Sequence, residues 1–176
     1  MQQNILCWKS ILFLQAVAVV TLAALPASAQ VTDPTIEEDI RRYLASYLDI
    51  LESGDIERVR RQYVDDGRFS WFTDGKRLYS SPDDVARSLA EIRRTGVRLA
   101  TETKDIEVIL LGGGIATLRA RFATRALAAE GERFAFAGII TMILERQPSG
   151  TWQVVQGHAS TPGGPPERPT VVSGQE

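Results

Sequence analysis

Cysteine is nearly missing from this 176-residue chain: Cys7 is the only one, and it lies close to the amino terminus. Histidine is as scarce, with His158 alone. A zinc centre draws on several such ligands, so no metal is expected. Positive charge is not in surplus either. The 20 Lys and Arg residues stand against 22 Asp and Glu, a net charge of −2, which gives no basic field for non-specific nucleic-acid binding. No G-x-S-x-G pattern offers an activated nucleophile. Gly112-Gly113-Gly114 has no helix after it and is not a phosphate loop. None of these motifs implies a cofactor.

The long apolar run is Ile11–Leu25, whose 15 residues are short for a membrane span, which takes roughly 20. Lys9 precedes it and Ala27-Ser28-Ala29 follows it. Positive start, apolar middle and small-residue cut site form a secretory signal pattern, with cleavage expected before Gln30. No lipobox cysteine stands at the cut, so the expected product is exported, periplasmic or secreted, without a stable membrane anchor. Cys7 and Lys9 leave with the signal. What remains has 19 basic and 22 acidic side chains, a net charge of −3, and no disulfide. Such a chain must be held by its core alone, and its length fits one domain. Residues 30–161 are read as that domain. Residues 162–176, rich in Pro and Gly and without periodicity, are read as a flexible tail.

Three helices are expected first. Ile36, Ile40, Tyr43, Leu44, Tyr47, Leu48 and Leu51 form an amphipathic stripe over Thr35–Ser53. Thr35 with Glu38 reads as its capping box, and Gly54 as its stop. Asp55 opens a short second helix with Ile56, Val59 and Tyr63 on its inner face. Ser81-Pro82 opens a third, with Val85, Leu89 and Ile92 inward, ending at Gly96. Between them, Asp74-Gly75 joins a hairpin of Arg68–Thr73 and Lys76–Ser80 through a type I′ turn.

After Gly96 the pattern is strand only: Val97–Leu111, Ile115–Leu127, Arg133–Arg146 and Thr151–Ala159. Helices followed by a long antiparallel meander make an α+β plan, one curved sheet wrapped on helices. Arg133–Arg146 is apolar on both faces. Ala135, Ala137, Ile139 and Ile143 alternate with Phe134, Phe136, Ile140, Met142 and Leu144. A strand of that kind is covered on both sides, one side by the helices and the other, by expectation, by a second subunit. Trp152, Val154, Gln156 and His158 share one face of the last strand on simple alternation.

The order of helix, Ser53-Gly54-Asp55, helix, Asp65-Asp66-Gly67, hairpin, helix, meander, Gly150-x-Trp152 and His158-x-Ser160 resembles the nuclear transport factor 2-like superfamily, in particular its SnoaL-like branch and the association domain of calmodulin-dependent kinases. The resemblance spans residues 35 to 161. It implies a cystatin-like, cone-shaped fold with three N-terminal helices packed in a strongly curved sheet, and a pocket at the wide end. It also implies a homodimer through the outer sheet face.

The same resemblance supplies site candidates. Ketosteroid isomerases of the superfamily use a helix-1 tyrosine, matched here by Tyr47. Their carboxylate base falls at Trp71 and their carboxylic acid at Ile140, so two of the three groups are apolar in this chain. The kinase association domain places an arginine in its pocket at the position of Arg119. Alternation alone instead puts Leu118, Ala120 and Phe122 inward and Arg119, Arg121 and Arg125 in solvent. Tyr47, Trp71, Arg119, Phe136, Met142 and His158 are the candidate ligand-binding set, with Tyr47 and His158 the candidates for catalysis. Three readings follow: a binder of a small hydrophobic or singly anionic molecule, an acid–base isomerase, cyclase or lyase, and an oligomerisation module.

Overall fold

The computed structural model describes residues 33–162. The expected signal, its cleavage before Gln30, and all of the tail except Pro162 lie outside the described residues. The elements in chain order are α1 (Pro34–Ser53), α2 (Ile56–Arg60), β1 (Ser70–Thr73), β2 (Lys76–Tyr79), α3 (Pro82–Arg94), β3 (Arg98–Gly112), β4 (Ile115–Ala128), β5 (Gly131–Arg146) and β6 (Trp152–Ser160). The expected α+β plan is present.

Helix α1 starts differently from the sequence reading. Its cap is Asp33, whose Oδ1 accepts the Thr35 N–H at 2.9 Å, and not a Thr35–Glu38 box. The reason is Pro34. It has no N–H to satisfy and belongs inside the first turn, so the capping side chain must stand one residue before it. At the other end Gly54 adopts φ 67° and closes the helix on the Ile50 carbonyl. Arg93 of α3 lies across this position and donates to the Ser53 carbonyl; a Cβ on residue 54 would overlap its guanidinium. Helix α2 is only five residues long and ends before Tyr63, which follows it in a bridge to Val154. Helix α3 has a full capping box between Ser81 and Asp84.

The six strands form one curved, unclosed sheet in the order β2-β1-β6-β5-β4-β3. Every pairing is antiparallel except β1 with β6, which run parallel, a departure from the all-antiparallel expectation. That pair is made by β1, which precedes the meander in sequence, adding itself to the meander's final strand. In the β1–β2 turn, Asp74 (φ 48°) and Gly75 (φ 77°) both have the positive φ that a type I′ hairpin demands.

Bulges in β3 and β6 help set which residues face the helices. In β3 the register slips between Lys104 and Glu107, where Asp105 has φ 52°. Arg41 of α1 donates to the nearby Ile106 carbonyl at 2.8 Å. In β6, Ile143 pairs with Gln156 but Leu144 with Val154, so Val155 is the extra residue. One inserted residue exchanges the two faces beyond it. Trp152, Val154, Gly157 and Ala159 are buried, while Gln156 and His158 are exposed. His158 therefore does not share a face with Trp152 and Val154, as simple alternation predicted.

The core lies between the concave side of the sheet and the helices. Ile40, Leu44, Tyr47, Val59, Phe69, Leu118, Met142, Leu144 and Val154 form its interior. Of the two apolar sets on β5, the one containing Phe136, Ile140, Met142 and Leu144 faces inward; the Ala137, Ile139 and Ile143 set faces outward.

Candidate functional site: a tyrosine cluster in the cone

Tyr43 and Tyr47 are four residues apart on α1, which puts them on one face of the helix. Their ring centroids are 6.1 Å apart. Tyr63 comes to meet them because the segment after α2 docks on β6: Val154 donates to the Gln62 carbonyl at 2.8 Å, and Val64 donates to the Val154 carbonyl at 3.1 Å. Tyr63 then stands edge-on to Tyr47, at 82° and 6.1 Å, and packs on Phe69 at 4.7 Å. Tyr63 was read from sequence only as a helix-face residue. Its partner is 16 positions away, and only tertiary packing brings them together.

The hydroxyl accounting is incomplete. Tyr43 donates to the Gln62 carbonyl at 3.2 Å. The Tyr47 and Tyr63 hydroxyls are 2.9 Å apart, and either can donate to the other. Two O–H protons thus share one hydrogen bond, and the second proton has no acceptor among the described residues. Burial pushes all three phenols up. Tyr47 rises to about 12, with the Tyr63 hydrogen bond opposing the shift. Tyr43 and Tyr63 are raised well above the ordinary tyrosine value, also first by burial. These groups are neutral hydrogen-bond donors at ordinary pH, and none is a base.

The other candidates divide between the two sides of the sheet. Met142 is fully buried in the same core as Tyr47. Trp71 and Phe136 are half-buried at its border, Trp71 lying over Gly157 and Phe136 meeting Phe122 at 6.0 Å. Leu48, Leu51, Leu89 and Tyr79 border the core in the same half-covered way. Arg119 and His158 are on the opposite, convex face. Arg119 is exposed and paired with Glu107 at 2.6 Å, next to the pairs Arg121–Asp105 and Arg125–Glu102. The sheet separates both residues from Tyr47, as strand alternation expects for Arg119.

Among the described residues, the buried polar side chains apart from the tyrosines and Trp152 are Thr124 and Thr161, and no carboxylate is buried. No three His, Cys, Asp or Glu side chains among them converge where a metal ion would sit. Open grooves on the described surface include one between α2 and α3 and one of about 530 Å³ on the outer sheet face. Neither is lined by the tyrosines.

Helices packed against a curved, unclosed sheet is the fold that the sequence resemblance implied. Residues 40–163 match the SnoaL-like domain family. This chain belongs to that family. Solved structures carry the same fold across most of the SnoaL-like domain. A conserved protein from Planctomyces limnophilus is 18% identical with a TM-score of 0.64, over 73% of this chain and 98% of that one. A ketosteroid isomerase-like protein from Erwinia carotovora atroseptica is 23% identical with a TM-score of 0.55, over 70% and 94%. A protein with a cystatin-like fold from Caulobacter vibrioides is 15% identical with a TM-score of 0.57, over 72% and 89%. Identities this low establish a shared fold and nothing finer. No functionally curated protein matches the sequence.

Proposed function

We propose that this SnoaL-like domain is exported and binds a small, apolar, uncharged molecule inside the cone without acid–base catalysis. The observation that carries it is the Tyr47–Tyr63 pair: a spare O–H donor, buried, surrounded by apolar side chains. A buried donor without an acceptor is costly. A ligand oxygen, such as a ketone or ether, relieves that cost, while the half-covered side chains of Trp71 and Leu89 take its hydrocarbon part. Arg119 and His158 have no place in this reading, so an anionic ligand loses its support. Export rests on Ile11–Leu25 and Ala27-Ser28-Ala29.

The isomerase reading keeps one point in its favour, the ketosteroid isomerase-like protein among the fold relatives. Against it, proton abstraction next to a carbonyl needs a base within reach. By the sequence resemblance, Trp71 and Ile140 fall at the two carboxylate positions, and the tyrosines are held neutral. The module reading draws on the apolar outer face, where Ile109, Leu111 and Ile139 are exposed.

Native mass spectrometry of the protein purified from its own host tests the binding reading. A small molecule carried by wild type and lost in Tyr47→Phe is the expected result. Wild type that arrives empty, and fails to take up a panel of apolar ketones, overturns it.

A further inference from the structure

The Tyr47 and Tyr63 hydroxyls lie in a closed core. Both residues are 2% exposed, so a molecule that reaches their spare donor must first displace part of the wall. The parts of the wall differ in how they are held. Helix α1 buries Ile40, Leu44 and Tyr47 in the core. The β1–β2 hairpin pairs with β6 and is clamped at its tip. There Thr161 donates its N–H to Asp74 Oδ1 at 2.8 Å and its hydroxyl to Oδ2 at 2.7 Å. Helix α3 is tied more loosely. Val85 and Ala86 in its first half are buried, but Leu89 and Ile92 in its second half are only half-buried. Its closest neighbours are α2 and β2.

The start of α3 is fixed by the Ser81–Asp84 capping box and by the Arg60–Asp83 pair at 2.7 Å. Further along, side chains hold it at two points. The Tyr79 hydroxyl donates to Ser88 Oγ at 2.9 Å, and Arg93 donates to the Ser53 carbonyl of α1. Tyr79 belongs to the site as well as to this tie. It packs against the core, and charge on it would oppose ionisation of both Tyr47 and Tyr63, which puts its hydroxyl on their side. After α3, Thr95 and Gly96 are exposed and lead to the buried Val97.

We propose that α3 is the door of the cone, with the Tyr79–Ser88 hydrogen bond as its latch. Ser88–Arg94 swings outward about the capped first turn. The half-covered Leu89 and Ile92 give up little burial in doing so. Thr95 and Gly96 supply the slack, at most about 7 Å for two extended residues, which suits a small ketone or ether. Water can replace the exposed Arg93 contact as the helix moves, whereas Tyr79 is half-buried and loses its partner. The inference rests on the binding reading for the molecule that passes; the motion itself does not depend on it.

The test uses the full chain with Cys7→Ser, which removes the only native thiol. Met142→Cys then puts a single thiol in the closed core, since Met142 is fully buried. Methyl methanethiolsulfonate, small and uncharged, labels it at each opening. Ser88→Ala, Tyr79→Phe and the two together should each raise the labelling rate about fivefold, because all three remove the same hydrogen bond. The urea dependence should stay shallow, since a local opening exposes little surface. A staple shuts the door instead. A Cβ at residue 54 would overlap the Arg93 side chain, so Gly54→Cys with Arg93→Cys, in the Cys7→Ser chain with Met142 kept, is within reach of a disulfide. Acetophenone uptake, followed by tryptophan fluorescence, should stop when the staple is oxidised and return when it is reduced. Labelling unchanged by the latch variants, labelling that tracks global unfolding in urea, or equal uptake by the oxidised and reduced staple would each overturn the proposal. Faster labelling with no acetophenone uptake by any form would keep the door and remove the binding reading.

Discussion

The Tyr47 hydroxyl lies 2.9 Å from that of Tyr63, in a core without a buried carboxylate among the described residues. Both phenols ionise later in the folded protein than in the unfolded chain. The sign follows. A raised folded pKa contributes stability that is fully present below the unfolded value near 10 and is lost as pH climbs through the folded one. Stability should therefore fall from about pH 10 upward, with phenolate absorbance appearing together with unfolding. Tyr63→Phe removes one titrating group and one hydrogen bond, at about 1 kcal/mol near neutral pH. It should also make the alkaline limb shallower. A tyrosine titration complete while the protein stays folded contradicts this account.

How much of the cluster was legible in the sequence depends on range. The 43/47 spacing, the Gly54 stop, the Asp74-Gly75 turn and the two apolar sets of β5 are local patterns, and each appears where it was expected. The Tyr63 partnership is not local, and neither is the parallel β1–β6 pair. His158 shows the sharper difficulty. Alternation is reliable until one residue is inserted, and the extra Val155 depends on how β6 packs against β5, which one strand's sequence does not specify. Asp33 is local too, but it lies before Pro34 and outside the apolar stripe, so helix periodicity does not mark it as the cap.

Helix α3 carries an acid-sensitive start. Asp84 Oδ2 accepts from Ser80 N–H and hydroxyl, both at 2.9 Å, and from Ser81 N–H at 3.1 Å. The Ser80 N–H is the main cause of a carboxyl held down at about 2. A lowered folded value contributes stability above the unfolded one near 4, lost as pH falls toward the folded value. Asp84→Ala should cost about 1 kcal/mol at neutral pH and flatten stability between pH 4 and pH 2, read by urea melts across that window.

Trp71 and Gly157 fix one wall of the cone. The indole covers Gly157, so a Cβ there would overlap the ring. Gly157→Ala should displace Trp71 and cost about 1–3 kcal/mol, with a change in tryptophan fluorescence. Trp71→Ala removes a half-buried ring and should cost less than the roughly 3–5 kcal/mol of a fully buried aromatic. Binding of an apolar ketone should weaken in both variants and remain unchanged in His158→Gln, whose side chain is on the outer face. If His158→Gln weakens binding as much as Trp71→Ala, the ligand is not inside the cone.

The far end of the outer face gives the last prediction. Ile109 of β3, Thr117 of β4 and Ile143 of β5 form one outward row by strand register, with exposed Leu111 beside it. Ile109 and Leu111 are 42% and 55% exposed, a cost in water that a second subunit would remove. A stable dimer buries about 800 Å² on each partner, more than this row alone supplies, so the contact must extend over the neighbouring Thr141 and Arg119 row. Its cross-strand pair Arg119–Glu107 is solvent-exposed and cheap to rearrange. Ile143→Glu places a charge in the middle of that surface without touching the tyrosine core. Sedimentation velocity should then show a dimer for wild type and a monomer for the variant, with the same alkaline melting profile in both. A monomeric wild type at high concentration would mean that no second copy covers this face.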